Sequence, residues 1–170
     1  MDHDQITHEN RQFLKAHLWR EWFNSQTDQK KGVPTPPIEK PLPPGAALID
    51  LPDPLEGGMG QIPLVQAIRQ RRSWRKYSDA PLSLEELSFL LWATQGLGVD
   101  ESGQPIQRGV SVLRNVPSGG ARHSFETYLL LRKITGLESG LYRYLPLSHR
   151  LARLFTLREI APLLEGKEVA

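Results

Sequence analysis

Leu82-Ser83-Leu84-Glu85-Glu86-Leu87-Ser88-Phe89-Leu90-Leu91-Trp92-Ala93 is the stretch from which the fold of this chain is read most directly. Ser83 and Glu86 have the S-x-x-E spacing of a capping box, in which each side chain satisfies the other residue's backbone N–H. Leu82 and Leu87 stand where a hydrophobic staple would close over that first turn. Leu84, Leu87, Leu90, Leu91 and Thr94 recur on one face, so the spacing predicts a helix with that face buried. Gly96 or Gly98 would supply a left-handed C-terminal cap.

Upstream, Pro63 fits the first turn of another helix, where a missing N–H costs nothing. Leu64 and Ile68 mark one face of it, and Arg71, Arg72 and Arg75 are predicted to continue the stripe. Before that helix the chain is proline-rich. Eight of the 14 prolines lie between Pro34 and Pro54, and Gly57-Gly58-Met59-Gly60 follows. A segment with so few backbone donors favours extended polyproline geometry. It is expected to wrap over a surface or span between subunits, and not to enter the core. Further back, Leu14, Leu18 and Trp22 recur at i, i+4 and i+8, widened by Trp19 and Phe23. They predict a helix from about Asn10 to Phe23 that packs on its own domain or on a partner subunit. The chain thus divides into residues 1–60, an N-terminal helix and extended arm, and residues 61–170, a folded domain.

Downstream of the capped helix, Asp100–Gly109 reads as a polar loop. Thr127-Tyr128-Leu129-Leu130-Leu131-Arg132 is a continuous β-prone run, the pattern of a strand buried on both faces. Thr135–Gly140 turns the chain into a second, antiparallel strand, Leu141–Leu145, and Arg150–Phe155 is expected to be a third strand at the sheet's edge. Thr156 and Glu159 repeat the capping-box spacing, so a helix starts at Leu157, with Pro162 expected to kink or end it. The fold class that emerges is α+β, two main helices on a small antiparallel sheet. So small a sheet leaves a doubly buried strand too little cover. The domain is therefore expected to be incomplete, its remainder absent or supplied by a second chain.

Composition removes several functions. Twenty-one Lys and Arg against 19 Asp and Glu leave a net charge of +2, too little to draw in nucleic acid by a long-range field. The chain has no cysteine, which excludes disulfides, Cys-based zinc or iron–sulfur sites and a Cys nucleophile. His3, His8, His17, His123 and His149 share no ligand spacing; they read as surface or locally bonded residues, and no metal is expected. No run approaches the roughly 20 apolar residues of a membrane span, and Met1-Asp2-His3-Asp4 is unlike a signal peptide, so a cytoplasmic location is expected.

Two motifs carry chemistry. Arg71-Arg72-Ser73-Trp74-Arg75-Lys76-Tyr77 gathers four cations and a hydroxyl within six residues. Guanidinium forks bind oxyanions bidentately, so this cluster could grip a phosphate; alternatively it is a solvated basic helix end complementing the helix dipole. Arg114-Asn115-Val116-Pro117-Ser118-Gly119-Gly120-Ala121-Arg122-His123 contains adjacent glycines that let backbone N–H groups approach a ligand, or it is a plain loop.

Taken in order, R-R-S-x-R-x-aromatic, the capped helix and P-S-G-G-A-R-H resemble the nitroreductase superfamily. Ser139-Gly140-Leu141-Tyr142-Arg143-Tyr144, with His149 and Leu151 following, resembles its SagB-type dehydrogenase branch. The similarity runs from about Leu51 to Phe155 and corresponds to the first half of such proteins. It implies a nitroreductase-like FMN fold and a homodimer, with two FMN sites at the subunit interface. Arg71, Arg72, Ser73 and Arg75 would contact the FMN phosphate, the ribityl chain and the N1–O2 edge. Pro117, Ser118 and Gly119 would approach the same flavin from the other subunit. The implied reaction is hydride transfer through flavin N5, with NAD(P)H as the donor in many relatives that reduce nitro compounds or quinones. In the SagB-type branch it is oxidation of a peptide azoline to an azole. The branch's catalytic side chains lie in the second half, so none is assigned to this chain. The chain is then either an oxidoreductase module completed by a partner or a non-catalytic interaction protein that docks onto a full-length relative.

Overall fold

The computed structural model describes residues 3–13, 15, 23–109 and 111–164. They belong to two units, residues 1–36 and 37–170. In the first unit, helix α1 spans His3–Phe13. Of the helix expected over Asn10–Phe23, Leu14, Leu18, Trp19 and Trp22 lie outside the described residues, and Phe23 sits exposed in a turn.

The second unit contains strands β1 (Ala47–Asp50), β2 (Gln107–Arg108), β3 (Ser111–Val112), β4 (Thr127–Leu131), β5 (Gly140–Leu145) and β6 (Arg150–Thr156), with helices α2 (Leu64–Gln70), α3 (Leu84–Gln95) and α4 (Leu157–Leu164). Four strands form one antiparallel sheet in the order β1-β6-β5-β4, and β2 and β3 make a separate hairpin. This is the expected α+β class, with the strands arranged differently. β4, whose sequence reads as buried on both faces, is an edge strand whose Tyr128 and Leu130 face outward and are exposed. The doubly buried strand is β5, because short turns place β4 on one side of it and β6 on the other. β6 is interior and not an edge, because β1 pairs outside it, with Ile49 opposite Leu151.

β1 comes from the proline-rich segment, contrary to the expectation that this segment stays out of the core. Ile49 and Leu51 pack against it, and β1 belongs to the unit of residues 37–170. The preceding residues do wrap over the sheet. Arg143, 3% exposed on β5, donates through Nη2 to the Lys40 carbonyl at 2.7 Å and through Nη1 to the Pro41 carbonyl at 3.4 Å. Lys40 N–H in turn donates to Glu126 Oε1 at 2.8 Å, and Leu147 N–H to Glu39 Oε1 at 2.8 Å. A buried charge is costly unless it is paired, and here two backbone carbonyls of the arm accept from the guanidinium.

α3 starts at the predicted capping box. Glu86 N–H donates to Ser83 Oγ at 3.2 Å and Ser83 N–H to Glu86 Oε2 at 2.8 Å. Leu87 and Leu91 pack on Leu131, Tyr142, Tyr144 and Leu151. The buried face is narrower than its apolar pattern, since Leu90 and Thr94 are exposed and Ser88 takes a fully buried place between the leucines. The helix does not end in a left-handed cap. Gly96 has φ −61°, and glycine is required there because a Cβ would lie 2.5 Å from the Trp92 carbonyl oxygen. α4 opens on Thr156 and Glu159 as expected, with Thr156 N–H 2.6 Å from Glu159 Oε2, and it runs through Pro162 to Leu164 without ending there.

α2 has no buried residue, and the stripe predicted to continue into the arginines stops at Gln70. Arg71 leaves the helix at φ −53°, ψ 127°, and neither helix nor strand follows through Tyr77. A helix this short is marginal without tertiary packing, and nothing among the described residues of the second unit buries it or carries it further.

Candidate functional site

The end of α3 builds a cleft. Past Gly96 the chain pairs with residues 113–115: Gly98 N–H donates to the Leu113 carbonyl and Asn115 N–H to the Gly96 carbonyl, both at 2.9 Å. Asn115 Nδ2 reaches back at 2.7 Å to the Trp92 carbonyl, which also accepts from Gly96 N–H, and so ties the loop to the helix end. Arg114, between these anchors, is thereby fixed at the cleft wall.

Pro117-Ser118-Gly119-Gly120-Ala121 then folds into a 3₁₀ turn over Gly119–Ala121. Ser118 organises it, its carbonyl accepting from Ala121 N–H at 3.0 Å and its hydroxyl from His123 N–H at 2.9 Å. Gly120 has φ +65°, and Ala121 and His123 adopt the left-handed region at +55° and +46°. Non-glycine residues in that region cost of order 1–3 kcal/mol each and persist only where the surroundings enforce them. The resulting cleft of about 520 Å³ is lined by Arg114, Pro117, Ser118, Arg122, His123 and Phe125, among others. A neighbouring hollow shares Arg114, Pro117, Ser118 and His123. Among the described residues neither lining contains an aspartate or glutamate. Burial, followed by the charge of Arg114, holds the His123 imidazole below the usual histidine pKa and so neutral at pH 7.

Pro117, Ser118 and Gly119 are therefore together, and so are Arg71, Arg72, Ser73 and Arg75, but the two groups are not joined. Among the described residues no hydrogen bond or ion pair links them, and none of the four lines the cleft. The arginine group is exposed throughout. Arg72 donates to the carbonyls of Arg69 at 3.1 Å and Arg71 at 2.8 Å, while among the described residues Arg71 reaches only Ser73 Oγ, at 3.5 Å. No carboxylate pairs with any of these arginines among the described residues.

A third constellation escapes any reading of the sequence alone. Ser88 Oγ lies 2.6 Å from the Pro52 carbonyl and 2.7 Å from His149 Nε2, while Tyr144 OH is 2.8 Å from His149 Nδ1. Ser88 has one proton and a carbonyl can only accept, so that proton goes to Pro52. His149 must then donate from Nε2 and accept from Tyr144 at Nδ1. The chain of donors runs one way and leaves no member short. Burial pushes His149 below its ordinary pKa, partly opposed by the Pro52 carbonyl and the Asp53 carboxylate. Burial likewise raises Tyr144 to about 12. The available signal was Ser88, a polar residue four places after Leu84 and three before Leu91 on the apolar face.

Among the described residues no group of three or more potential ligands could hold a metal ion, and no helix is long and apolar enough to cross a membrane.

The cleft, the arginine segment and most of the four-stranded sheet fall within residues 68–155, which match the nitroreductase family, and the chain belongs to that family. A protein of Methanocaldococcus jannaschii, whose name provisionally makes it a nitroreductase, is 37% identical over 106 residues, covering 62% of this chain. The chain spans 46% of that relative's length.

Proposed function

We propose that the chain is the first half of an FMN-dependent oxidoreductase of the SagB-type dehydrogenase kind, completed by a second copy or by a separate chain. One observation carries the reading. The fold leaves two sets of anion and carbonyl donors open, at Arg71–Arg75 and at Pro117–Gly119, in the positions where the resemblance puts the family's flavin contacts.

The donor chemistry fits FMN. Arg71, Ser73 and Arg75 offer guanidinium forks and a hydroxyl for a phosphate and for the pyrimidine edge of the ring. Arg72 contributes less, since it already donates to two backbone carbonyls. Pro117, Ser118 and Gly119 present backbone to the ring, and beyond Gly119 a Cβ would meet nothing within 4 Å. When bound, FMN would supply hydride transfer through N5, from NAD(P)H or to a second substrate. A guanidinium against its pyrimidine edge would stabilise the negative charge that reduction places there. That the two sets do not meet within one chain agrees with a flavin held between subunits. Small nitro compounds, quinones and a peptide azoline are the substrate classes this reading admits.

A second reading is favoured by one feature. Leu64, Val65, Ile68, Trp74 and Tyr77 are all more than half exposed, a surface suited to an interaction protein that docks onto a full-length relative without turnover. Titration of the full chain with FMN, alone and mixed with such a relative, separates the two. Binding that quenches flavin fluorescence, and weakens about tenfold in Arg71→Gln or Arg75→Gln, supports the flavoenzyme. Tight docking with no FMN uptake in either setting replaces it with the second reading.

A further inference from the structure

The cleft contains more cationic chemistry than the proposed flavin contact uses. In that contact Pro117–Gly119 present mainly backbone, yet the same wall carries Arg114, Arg122 and His123. Among the described residues neither arginine has a carboxylate partner and the cleft lining offers none. Two guanidiniums in one concavity, with no carboxylate beside them among the described residues, make a field that selects anions. The rest of the wall is not polar. Val116, Pro117 and the 86%-exposed Phe125 supply apolar surface beside the charges. Ser118 keeps its own proton to donate, because its oxygen is the acceptor for His123 N–H.

We infer that this cleft binds an amphipathic carboxylate, a small molecule with a carboxylate on an aromatic or aliphatic body. Arg114 and Arg122 grip the carboxylate, and Phe125 and Pro117 cover the body. A planar carboxylate suits the guanidinium fork, and the apolar wall favours an organic anion over a bare inorganic one. The strained turn through Ala121 and His123 fixes Arg122 and the imidazole on the same side as Arg114, and burial keeps the imidazole a neutral hydrogen-bonding group. That the bound carboxylate is a substrate rests on the flavoenzyme reading; the anion preference of the cleft does not.

Phenylacetate, its neutral amide and inorganic phosphate are the probes, titrated into the full chain by calorimetry or by NMR of the backbone amides at Ser118–Phe125. The expected result is that phenylacetate binds at least about tenfold more tightly than the amide, weakens with added salt, and shifts the Gly119 and His123 amides. Arg122→Gln, at an exposed position, lowers that affinity about tenfold, as does Arg114→Gln; Lys133→Gln, a remote loss of charge, leaves it unchanged. Equal binding of acid and amide overturns the inference, as does phenylacetate binding that is absent or indifferent to Arg122→Gln. Displacement of phenylacetate by an equal concentration of inorganic phosphate overturns it too, and makes this a phosphate site. If Arg122→Gln and Arg114→Gln abolish FMN binding and leave phenylacetate untouched, the cations belong to the flavin and the inference falls. Phenylacetate binding that depends on Arg122 in a chain that never takes up FMN leaves the carboxylate site standing and removes the flavin. FMN uptake without phenylacetate binding does the reverse.

Discussion

Around His149, the side chains of Ser88 and Tyr144 and the Pro52 carbonyl complete one chain of hydrogen bonds between α3 and the β5–β6 hairpin, whereas every residue from Gln61 to Leu82 is exposed. Both stretches are rich in large residues and both lie in the matched family region or at its margin. One is finished by its own chain. In the other, Leu64, Val65, Ile68, Trp74 and Tyr77 face outward beside five cations, Arg69, Arg71, Arg72, Arg75 and Lys76, that have no carboxylate partner among the described residues. Stability should therefore be concentrated in the sheet and the helix on it. The segment around Arg71 is expected to add little until something covers it.

The comparison can be broken by mutation, starting from the core. Leu151 is fully buried between Ile49 and Tyr144 in the sheet, and Leu151→Ala should cost about 2–5 kcal/mol in chemical denaturation. Tyr144→Phe keeps the edge-on ring contact with His149, centroids 5.7 Å apart, but removes the donor to Nδ1. A buried acceptor left unpaired costs about 1–3 kcal/mol; a smaller loss would mean that water or a rearranged imidazole replaces the hydroxyl. Ser83→Ala removes one half of the capping box and should cost about 1 kcal/mol.

Acidification probes the same region through a single group. The folded chain holds His149 below its ordinary pKa, so the unfolded chain takes up a proton first. Stability is then highest above about pH 6.5, the unfolded value, and declines as pH falls through the window beneath it. Thermal unfolding from pH 8 to pH 5 should show a steeper loss for the native chain than for His149→Gln; equal slopes would mean that the imidazole is not desolvated. At the small end, Ile68→Ala on α2 should change stability by no more than about 0.5 kcal/mol. If it costs as much as Leu151→Ala, with a concentration-dependent midpoint, α2 is buried in an assembly and the contrast is false for the molecule in solution.

The capping boxes, the turns and the antiparallel pairing of β4 with β5 were legible because they depend on residues close together in sequence. The sheet's order was not. A run such as Thr127–Leu131 has the same composition whether one face or two are covered, and only the neighbours decide. The strand at Ala47–Asp50 has a local signal, since Leu48-Ile49 is β-prone, but the surrounding prolines outweigh it. The arginine stripe failed for a related reason: periodicity says where a helix would point and not whether anything waits there to hold it. The Pro117–Gly119 turn was recognised by its glycines, while Arg114, Arg122 and His123 became a group only once the left-handed residues had folded the loop back. Ser88 and His149 are 61 positions apart, beyond the reach of any spacing rule.

The pairing of β1 with β6 has a consequence for how the molecule comes together. Asp50 and Arg150, joined at 2.6 Å, are separated by 100 positions, whereas the β4–β5 and β5–β6 hairpins close over short turns. Closing a long loop costs more chain entropy than closing a short one, and contacts distant in sequence slow the approach to the native state. The hairpins are thus expected to acquire amide protection early in a pulse-labelling experiment, and Ala47–Asp50 last. The strand that completes the sheet leaves the ribosome before any of its partners, and it must wait for all of them.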